Sequence, residues 1–260
     1  MKNRNKNIFR FKVLIVLLIF VGGCTPSKSN QQSTNNSDNS VTEDETAKTV
    51  STPKTPNTPS DFLPEGFKIF QEIYGDLNAD GSKDCILIIK GTDKKNIVTD
   101  ESLGELNYNR RGIIILFNKE EQYELALKNY SCLSSEMDEE DRYLASPNTP
   151  YLGVSIAKGN LYFHYDNGKY GDWKYTFKYR NSDFELIGYD MSNRDWHIVQ
   201  DEISINFLSK KKLKRVNVNY EKRHEEGFEE AVFKETWENI KIEKPIKLSE
   251  IKDIDDIGPF

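Results

Sequence analysis

Histidine and cysteine are scarce in this chain, and their positions exclude several kinds of chemistry. His164, His197 and His224 are scattered, without the close spacing of a zinc-binding motif. Cys85 and Cys132 adjoin apolar segments rather than the electropositive setting that activates a cysteine nucleophile. The sequence also contains no Gly-x-Ser-x-Gly elbow and no Walker-type glycine loop. We therefore predict no zinc site, and we find no catalytic motif.

Positive charge is also in short supply. The chain has 36 Lys and Arg residues against 42 Asp and Glu residues, a formal net charge of −6. Five of the basic residues lie within the first twelve positions, so a chain that has lost its leader carries about −11. Nucleic-acid binding requires basic patches. The charge therefore argues against a nucleic-acid partner and against docking on anionic lipid.

Amphipathic helical stretches of ordinary length are missing, whereas patterns of period two are common. In the segment "WKYTFKY", Trp173, Tyr175, Phe177 and Tyr179 share one face, and the residues between them share the other. Such alternation predicts a sheet with one wet side. We predict an all-β domain, an antiparallel sandwich or curled sheet of about nine to eleven strands. The predicted strands occupy residues 67–74, 85–90, 112–117, 123–130, 153–157, 161–165, 173–179, 184–190, 202–208, 213–220 and 231–237.

The N-terminal segment predicts localisation to the cell envelope. A basic region precedes the apolar run Val13–Val21, which is shorter than the roughly 20 residues of a spanning helix. The following Val21-Gly22-Gly23-Cys24 resembles the lipobox of bacterial lipoproteins, which implies a signal peptide over residues 1–23 and acyl chains such as palmitate on Cys24. The alternative is an ordinary secretory signal with a chance cysteine. Thr25, rather than Asp, follows Cys24, which in enterobacterial lipoprotein sorting implies the outer membrane.

The predicted lipoprotein divides into a tether and a folded domain. Residues 24–60 contain almost nothing apolar to bury, so we predict a disordered linker. Residues 61–260 are long enough for one β-rich domain with its own core. Within that domain, Cys85 and Cys132 either form a disulfide or lie buried as free thiols, and the sequence leaves both interpretations open.

The segment "GDLNADGSKD" (residues 75–84) has the oxygen-bearing side chains of a calcium loop. Asp76, Asn78 and Asp80 occupy alternating positions, Ser82 would offer its backbone carbonyl, and Asp84 would ligate at the ninth position. The pattern is similar to an EF-hand loop through that ninth position. Flanked by strands, it resembles the calcium loops of FG-GAP and VCBS-type repeats, which implies a structural Ca²⁺ clamp. The competing interpretation is a polar hairpin turn without an ion.

A wider resemblance covers the predicted domain. The segments "GDLNADGSKD", "RRGIIILF" and "YTFKYRNSDFELIGYD" are similar to those of a group of bacterial lipoproteins, which implies an envelope location and the fold but no reaction.

Two charged segments have simpler interpretations. The pair Arg110-Arg111 would form either an anion grip or a solvated loop end, and the basic residues 210–215 would form a charged sheet edge that resists aggregation.

Our first hypothesis for function is a non-enzymatic, calcium-stabilised binding or interaction module, anchored to the membrane by lipid, with a protein or glycan partner. One alternative is a cell-envelope enzyme that acts on glycans through carboxylates of the acidic segment 134–142. Another is an inhibitor or immunity-type lipoprotein whose acidic surface suits a basic target. An aromatic stripe, which we expect to be core, could alternatively stack on sugars. It consists of Tyr162, Tyr170, Trp173, Tyr175, Phe177 and Tyr179.

Overall fold

Antiparallel strands make up the fold, as seen in a computed structural model that describes residues 58–102, 104–120, 122–135, 151–223, 230–258 and 260. The strands are β1 (Phe67–Gly75), β2 (Asp84–Gly91), β3 (Ile97–Asp100), β4 (Gly104–Asn107), β5 (Arg111–Lys119), β6 (Gln122–Leu133), β7 (Tyr151–Ala157), β8 (Asn160–Asp166), β9 (Gly171–Arg180), β10 (Asp183–Asp195), β11 (Ile198–Asn206), β12 (Lys211–Asn217) and β13 (Phe233–Asn239). The prediction of an all-β domain is confirmed.

Helical structure in the described residues is limited to short 3-10 turns. They occupy Pro59–Phe62, Lys94–Asn96, Gly168–Tyr170, Tyr220–Lys222, Leu248–Glu250 and Ile254–Asp256. No helix in the described ranges has the length and apolar character needed to cross a membrane. The predicted signal peptide, Cys24 and most of the predicted tether lie outside the described residues.

The strands form three sheets. A small sheet has the order β1-β2-β5-β6, a large sheet has the order β13-β12-β11-β10-β9-β8-β7, and β3 pairs with β4 alone. Two-residue turns at Lys158-Gly159 and Asn181-Ser182, all four residues with positive φ, join β7 to β8 and β9 to β10. Turns of this kind match the right-handed twist of strands. They therefore favour the meander of adjacent strands that builds the large sheet.

The small sheet packs on one face of the large sheet, so the fold is a sandwich. Ile113 and Ile115 of β5 share a buried cluster with Phe163 and Phe177 of the large sheet. Phe117 of β5 meets the ring of Tyr179 edge-to-face at a centroid distance of 4.7 Å. Because successive side chains of a strand point to opposite faces, this packing leaves the alternate residues of β8 to β12 on the far side of the large sheet.

The small sheet has a second apolar face, and this separates the two described cysteines. Cys85 lies in an outer cluster with Leu87 and Ile114, whereas Cys132 belongs to the core between the sheets. Both thiols are free. Burial raises the pKa of Cys85 to about 11 and that of Cys132 to about 12. Both cysteines are therefore buried apolar residues, and they do not form the disulfide that the sequence left open.

The segment after β13 closes the sandwich by contacting both sheets. Ile246 accepts a backbone hydrogen bond from Leu186 of β10 at 2.9 Å. From the small sheet, Asn129 Nδ2 donates to the carbonyls of Leu248 and Ile251 at 2.8 and 2.7 Å. Apolar residues of this segment fill the core, namely Ile246, Leu248, Ile251, Ile254 and Ile257. The segment contains two of the 3-10 turns, Leu248–Glu250 and Ile254–Asp256.

Of two predictions about basic segments, one holds for a single residue and the other is wrong. Arg110 bonds Asp253 at 2.6 Å and the Ser131 carbonyl at 2.9 Å, which holds the C-terminal segment against the small sheet. Arg111 is buried and donates to the Ser134 carbonyl, so the predicted solvated loop end holds for the exposed Arg110 and fails for Arg111. The basic residues 210–215 lie in and directly before β12. Because β13 pairs with β12 and is itself the outermost strand, these residues do not form the edge of the sheet.

Candidate functional site

The predicted calcium loop (residues 75–84, the Asp loop) connects β1 to β2 at one end of the small sheet. Asp76 accepts hydrogen bonds from the N–H groups of Ala79 at 2.7 Å and Gly81 at 3.0 Å. Asp80 accepts from Ser82 N–H at 2.7 Å and from the Asn78 side chain at 2.8 Å. These bonds, with positive φ at Ala79 and Gly81, curl the loop tightly and hold three of the predicted ligands within one short turn.

Asp84, the predicted ninth-position ligand, has a different role. Its side chain is fully buried and accepts from Leu77 N–H at 2.7 Å and Asn118 N–H at 3.0 Å. Since Asn118 belongs to β5, the carboxylate ties the loop to the end of a neighbouring strand. Burial is the main cause that raises the pKa of Asp84, although both hydrogen bonds oppose the rise. Asp84 therefore acts as a buried anchor of the loop.

The chemistry of the Asp loop fits calcium, but its geometry in the structure does not display a cation site. Carboxylate and amide oxygens are the ligands that Ca²⁺ prefers, and each oxygen has more than one lone pair. In the described part of the chain, however, no group of three or more His, Cys, Asp or Glu side chains is arranged so as to hold a metal. Each loop carboxylate instead accepts backbone N–H groups. The Ca²⁺ clamp stays a prediction.

The far side of the large sheet carries a second candidate site. We define the open face as the outward residues of β8 to β13, opposite the core. Its members are Tyr162, His164, Asp172, Lys174, Asp190, Ser192, Arg194, Glu202, Ser204, Leu213, Arg215, Phe233, Glu235 and Trp237. No described element packs over these residues. Their polar character fits the predicted wet side of the sheet.

Ion pairs across neighbouring strands order the charges of the open face. Arg194 meets Asp172 at 2.9 Å, and His164 approaches the other oxygen of the same carboxylate at 3.6 Å. Lys174 lies 3.3 Å from Asp190. These pairs are partly exposed and screened by solvent, and pairs at a protein surface contribute little to folding stability, with a median of about 0–1 kcal/mol. They can therefore exchange partners with a ligand at little cost to the fold.

A second part of the same network lies nearer β13. Ser204 donates to Asp190 at 2.7 Å, and Arg215 contacts Glu202 at 2.5 Å and Glu235 at 3.3 Å. Ser204, Asp190, Arg215 and Glu202 line a shallow depression of about 360 Å³ on the sheet surface. Its lining alternates acceptors with donors and includes the apolar side chain of Leu213 at one margin. Trp237, 64 % exposed, lies directly across from Leu213 on the neighbouring strand.

The structure places most of the predicted aromatic stripe in the core. Tyr175 and Phe177 are buried, and Trp173 and Tyr179 pack against the same cluster, as expected for a core face. Of the remaining two, Tyr162 lies on the open face and Tyr170 is exposed in a loop. Stacking on a sugar is therefore excluded for the four core members.

Two predicted sites, the lipidation site and most of the acidic segment, receive no structural description. Cys24 and residues 136–142 of the acidic segment lie outside the described residues, as does His224. The sequence predicted a wet side of the sheet but not its bonded pairs, because these are separated along the chain by 22 positions for Asp172 and Arg194 and 14 for Asp190 and Ser204. The sequence signal for the open face was that Asp172 and Lys174 alternate with the core aromatic residues of β9.

Comparison with models of known protein families, with curated proteins and with solved structures found no match. The resemblance to bacterial lipoproteins and to FG-GAP or VCBS-type calcium loops therefore stays a prediction from the sequence. The function has to be argued from the geometry of the two candidate sites.

Proposed function

We propose that this protein is a binding module of the bacterial cell envelope, anchored by lipid on Cys24, and that its open face contacts a polar ligand. One observation carries the proposal: the open face holds ordered ion pairs around a depression, and no described element covers it. A face that served only as scaffold would gain modest stability from these partly exposed pairs, because solvent still screens them. Paired charges with fixed orientations provide donors and acceptors at defined positions for a ligand.

An envelope glycan is the ligand class that this chemistry favours. Each sugar hydroxyl both donates and accepts hydrogen bonds. The depression presents the carboxylates of Asp190 and Glu202 as acceptors and the guanidinium of Arg215 as a donor. Leu213 and the exposed ring of Trp237 add apolar surface beside them, suited to the C–H face of a sugar ring. A protein partner is the second ligand class in the proposal.

Co-sedimentation with purified peptidoglycan tests the ligand surface. Ser204 is exposed and lines the depression, so Ser204→Tyr would fill it without disturbing the core. Ser155 lies on the same side of the sheet in β7 but does not line the depression, and Ser155→Tyr is the matched control. We expect the unchanged protein and Ser155→Tyr to pellet with peptidoglycan and Ser204→Tyr to stay in the supernatant. Equal pelleting of both variants would show that the depression is not the binding site. No pelleting of the unchanged protein would reject peptidoglycan as the ligand.

The proposal includes the Asp loop as a structural Ca²⁺ clamp with Asp76, Asn78, Asp80 and the Ser82 carbonyl as the ligands, and with Asp84, the fifth predicted ligand, as the buried anchor. The exposed carboxylates of the loop would bind the ion, and Asp84 would fix the loop to β5. An ion that binds the folded state alone raises its stability by mass action. We expect millimolar calcium to raise the midpoint of thermal unfolding relative to EDTA, and Asp80→Ala to abolish that rise. A rise of equal size in the variant would contradict the clamp.

The lipid anchor has a direct test in cells. Cys24→Ser removes the thiol that would carry the acyl chains. We expect the unchanged protein to incorporate labelled palmitate and to fractionate with membranes, and the variant to do neither. Because an uncleaved signal peptide could itself hold the variant at the membrane, the palmitate label is the deciding readout. A variant that still incorporates the label would contradict lipidation at Cys24.

A further inference from the structure

Strand β13 is the outermost strand of the large sheet, and its free edge is open among the described residues. Six of its seven residues are exposed. It pairs with β12 on one side, in the register that places Lys211 opposite Asn239 and Asn217 opposite Phe233. No described segment pairs with the other side. An edge of this kind presents unpaired backbone N–H and C=O groups to solvent.

The hydrogen bonds at both ends of β13 define which backbone groups face the free edge. Ile240 N–H donates to the Lys210 carbonyl at 3.0 Å, and Val218 N–H donates to the Val232 carbonyl at 2.8 Å. Hydrogen-bonded pairs alternate along an antiparallel ladder. The even-numbered residues of β13 therefore bond to β12. The N–H and C=O groups that face outward belong to Phe233, Glu235, Trp237 and Asn239.

We propose that β13 pairs with β13 of a second copy of this chain, antiparallel and about a two-fold axis at Thr236. This register places Thr236 opposite itself, Glu235 opposite Trp237, and Phe233 opposite Asn239, so the whole strand is paired. All the outward N–H and C=O groups then meet partners. The interface is isologous, as expected for a dimer with two-fold symmetry. It joins two large sheets into one continuous sheet.

The charges of β13 favour this register. With Thr236 on the axis, Lys234 lies opposite Glu238 of the second copy, and the symmetry repeats the pair. Opposite charges directly across a ladder are stabilising, and like charges are destabilising. Neither side chain forms an ion pair with another described residue, so both are available. Sliding the register by two positions along the ladder shortens the overlap and moves Lys234 away from Glu238.

The apolar surface near the free edge supports the same arrangement. Trp237 is 64 % exposed, which is unusual for a side chain of this size. In the proposed register the two Trp237 side chains are diagonal neighbours on the open face, about 7–8 Å apart and within reach of each other. Pairing therefore covers exposed aromatic surface as well as backbone groups. The inference shares Trp237 with the proposed ligand surface, but the pairing of the sheet edge does not require a ligand on the open face.

Charge reversal of the full-length protein tests the pairing by sedimentation velocity. We expect the unchanged protein to shift from monomer to dimer as its concentration rises. Lys234→Glu and Glu238→Lys each place like charges opposite each other twice, and we expect dimerisation to weaken by about tenfold in each. The double variant Lys234→Glu/Glu238→Lys restores opposite charges and should recover the dimer. A monomeric unchanged protein, or single variants that dimerise as well as it does, would overturn the proposal.

Single cysteines test the register itself. Thr236 would form a non-hydrogen-bonded pair with its symmetry mate, at a Cα distance of about 4.5 Å that suits a disulfide. We expect Thr236→Cys to yield a disulfide-linked dimer under mild oxidation, and more of it than Glu235→Cys or Trp237→Cys. Ser209→Cys, in an exposed turn away from the edge, is the control. Because Cys85 and Cys132 are buried, they should not contribute. If Thr236→Cys forms no more disulfide-linked dimer than Ser209→Cys, the proposed register is contradicted.

Discussion

Replacing Asp84 tests whether this residue anchors the Asp loop independently of any metal. Its carboxylate accepts the N–H groups of Leu77 and Asn118, and Asp84→Ala leaves both donors without that acceptor. A buried donor without a partner costs about 1–3 kcal/mol. Removing a carboxylate whose pKa is raised by burial also relieves a desolvation cost, so part of this loss is offset. We expect the free energy of unfolding to fall by about 2–4 kcal/mol.

Urea denaturation in EDTA measures this loss. The midpoint should fall with little change in slope, because the surface exposed on unfolding is nearly the same. Asp84→Asn keeps one acceptor oxygen and should lose less stability than Asp84→Ala. Asp80→Ala is the matched control, since Asp80 is exposed in the same loop and its pKa is lowered chiefly by the hydrogen bond from Ser82 N–H. An Asp84→Ala variant as stable in EDTA as Asp80→Ala would refute the anchor.

Three further predictions concern pH, the C-terminal segment and calcium. The raised pKa of Asp84 means that the folded protein holds this proton to a higher pH than the unfolded chain. The contribution of Asp84 to stability should therefore decline as the pH rises from the ordinary aspartate range through the pKa of Asp84 in the folded protein. In EDTA, the difference in free energy of unfolding between the unchanged protein and Asp84→Asn should narrow over that pH range. Asn129→Ala removes two hydrogen bonds to the C-terminal segment, so we expect about 1–3 kcal/mol of destabilisation and faster proteolysis after β13. Calcium should protect the backbone N–H groups of the Asp loop from hydrogen exchange in the unchanged protein and leave exchange in Asp80→Ala unaffected.

Local patterns predicted most of the strands, because strand formation here follows alternation and β-branched composition. Each of the eleven predicted strands overlaps a strand of the structure. The hairpin of β3 and β4 was missed, and it brings the total to thirteen among the described residues. Its strands are four residues long and contain few apolar side chains, Ile97, Val98 and Leu106, so they carry no readable period. The sandwich was one of the two predicted arrangements.

The candidate sites were less predictable, because they depend on register. Five oxygen-bearing residues at alternating positions indicated the Asp loop, but β2 begins at Asp84 and takes that carboxylate into the sheet. The ion pairs of the open face join different strands, so a shift of one residue in any register would separate them. For the same reason the basic segment 210–215 looked like a sheet edge until the pairing of β13 with β12 was known.

The C-terminal segment has a consequence for the order in which this protein can fold. Its carbonyls bond to Asn129 across 119 and 122 positions of the chain. During synthesis, the two sheets therefore emerge before the residues that complete their shared core. Contacts so distant in sequence slow folding. Apolar surface of the two sheets stays exposed until the C-terminal segment has emerged. For the exported lipoprotein proposed above, this delay would keep the sandwich open while the chain crosses the membrane.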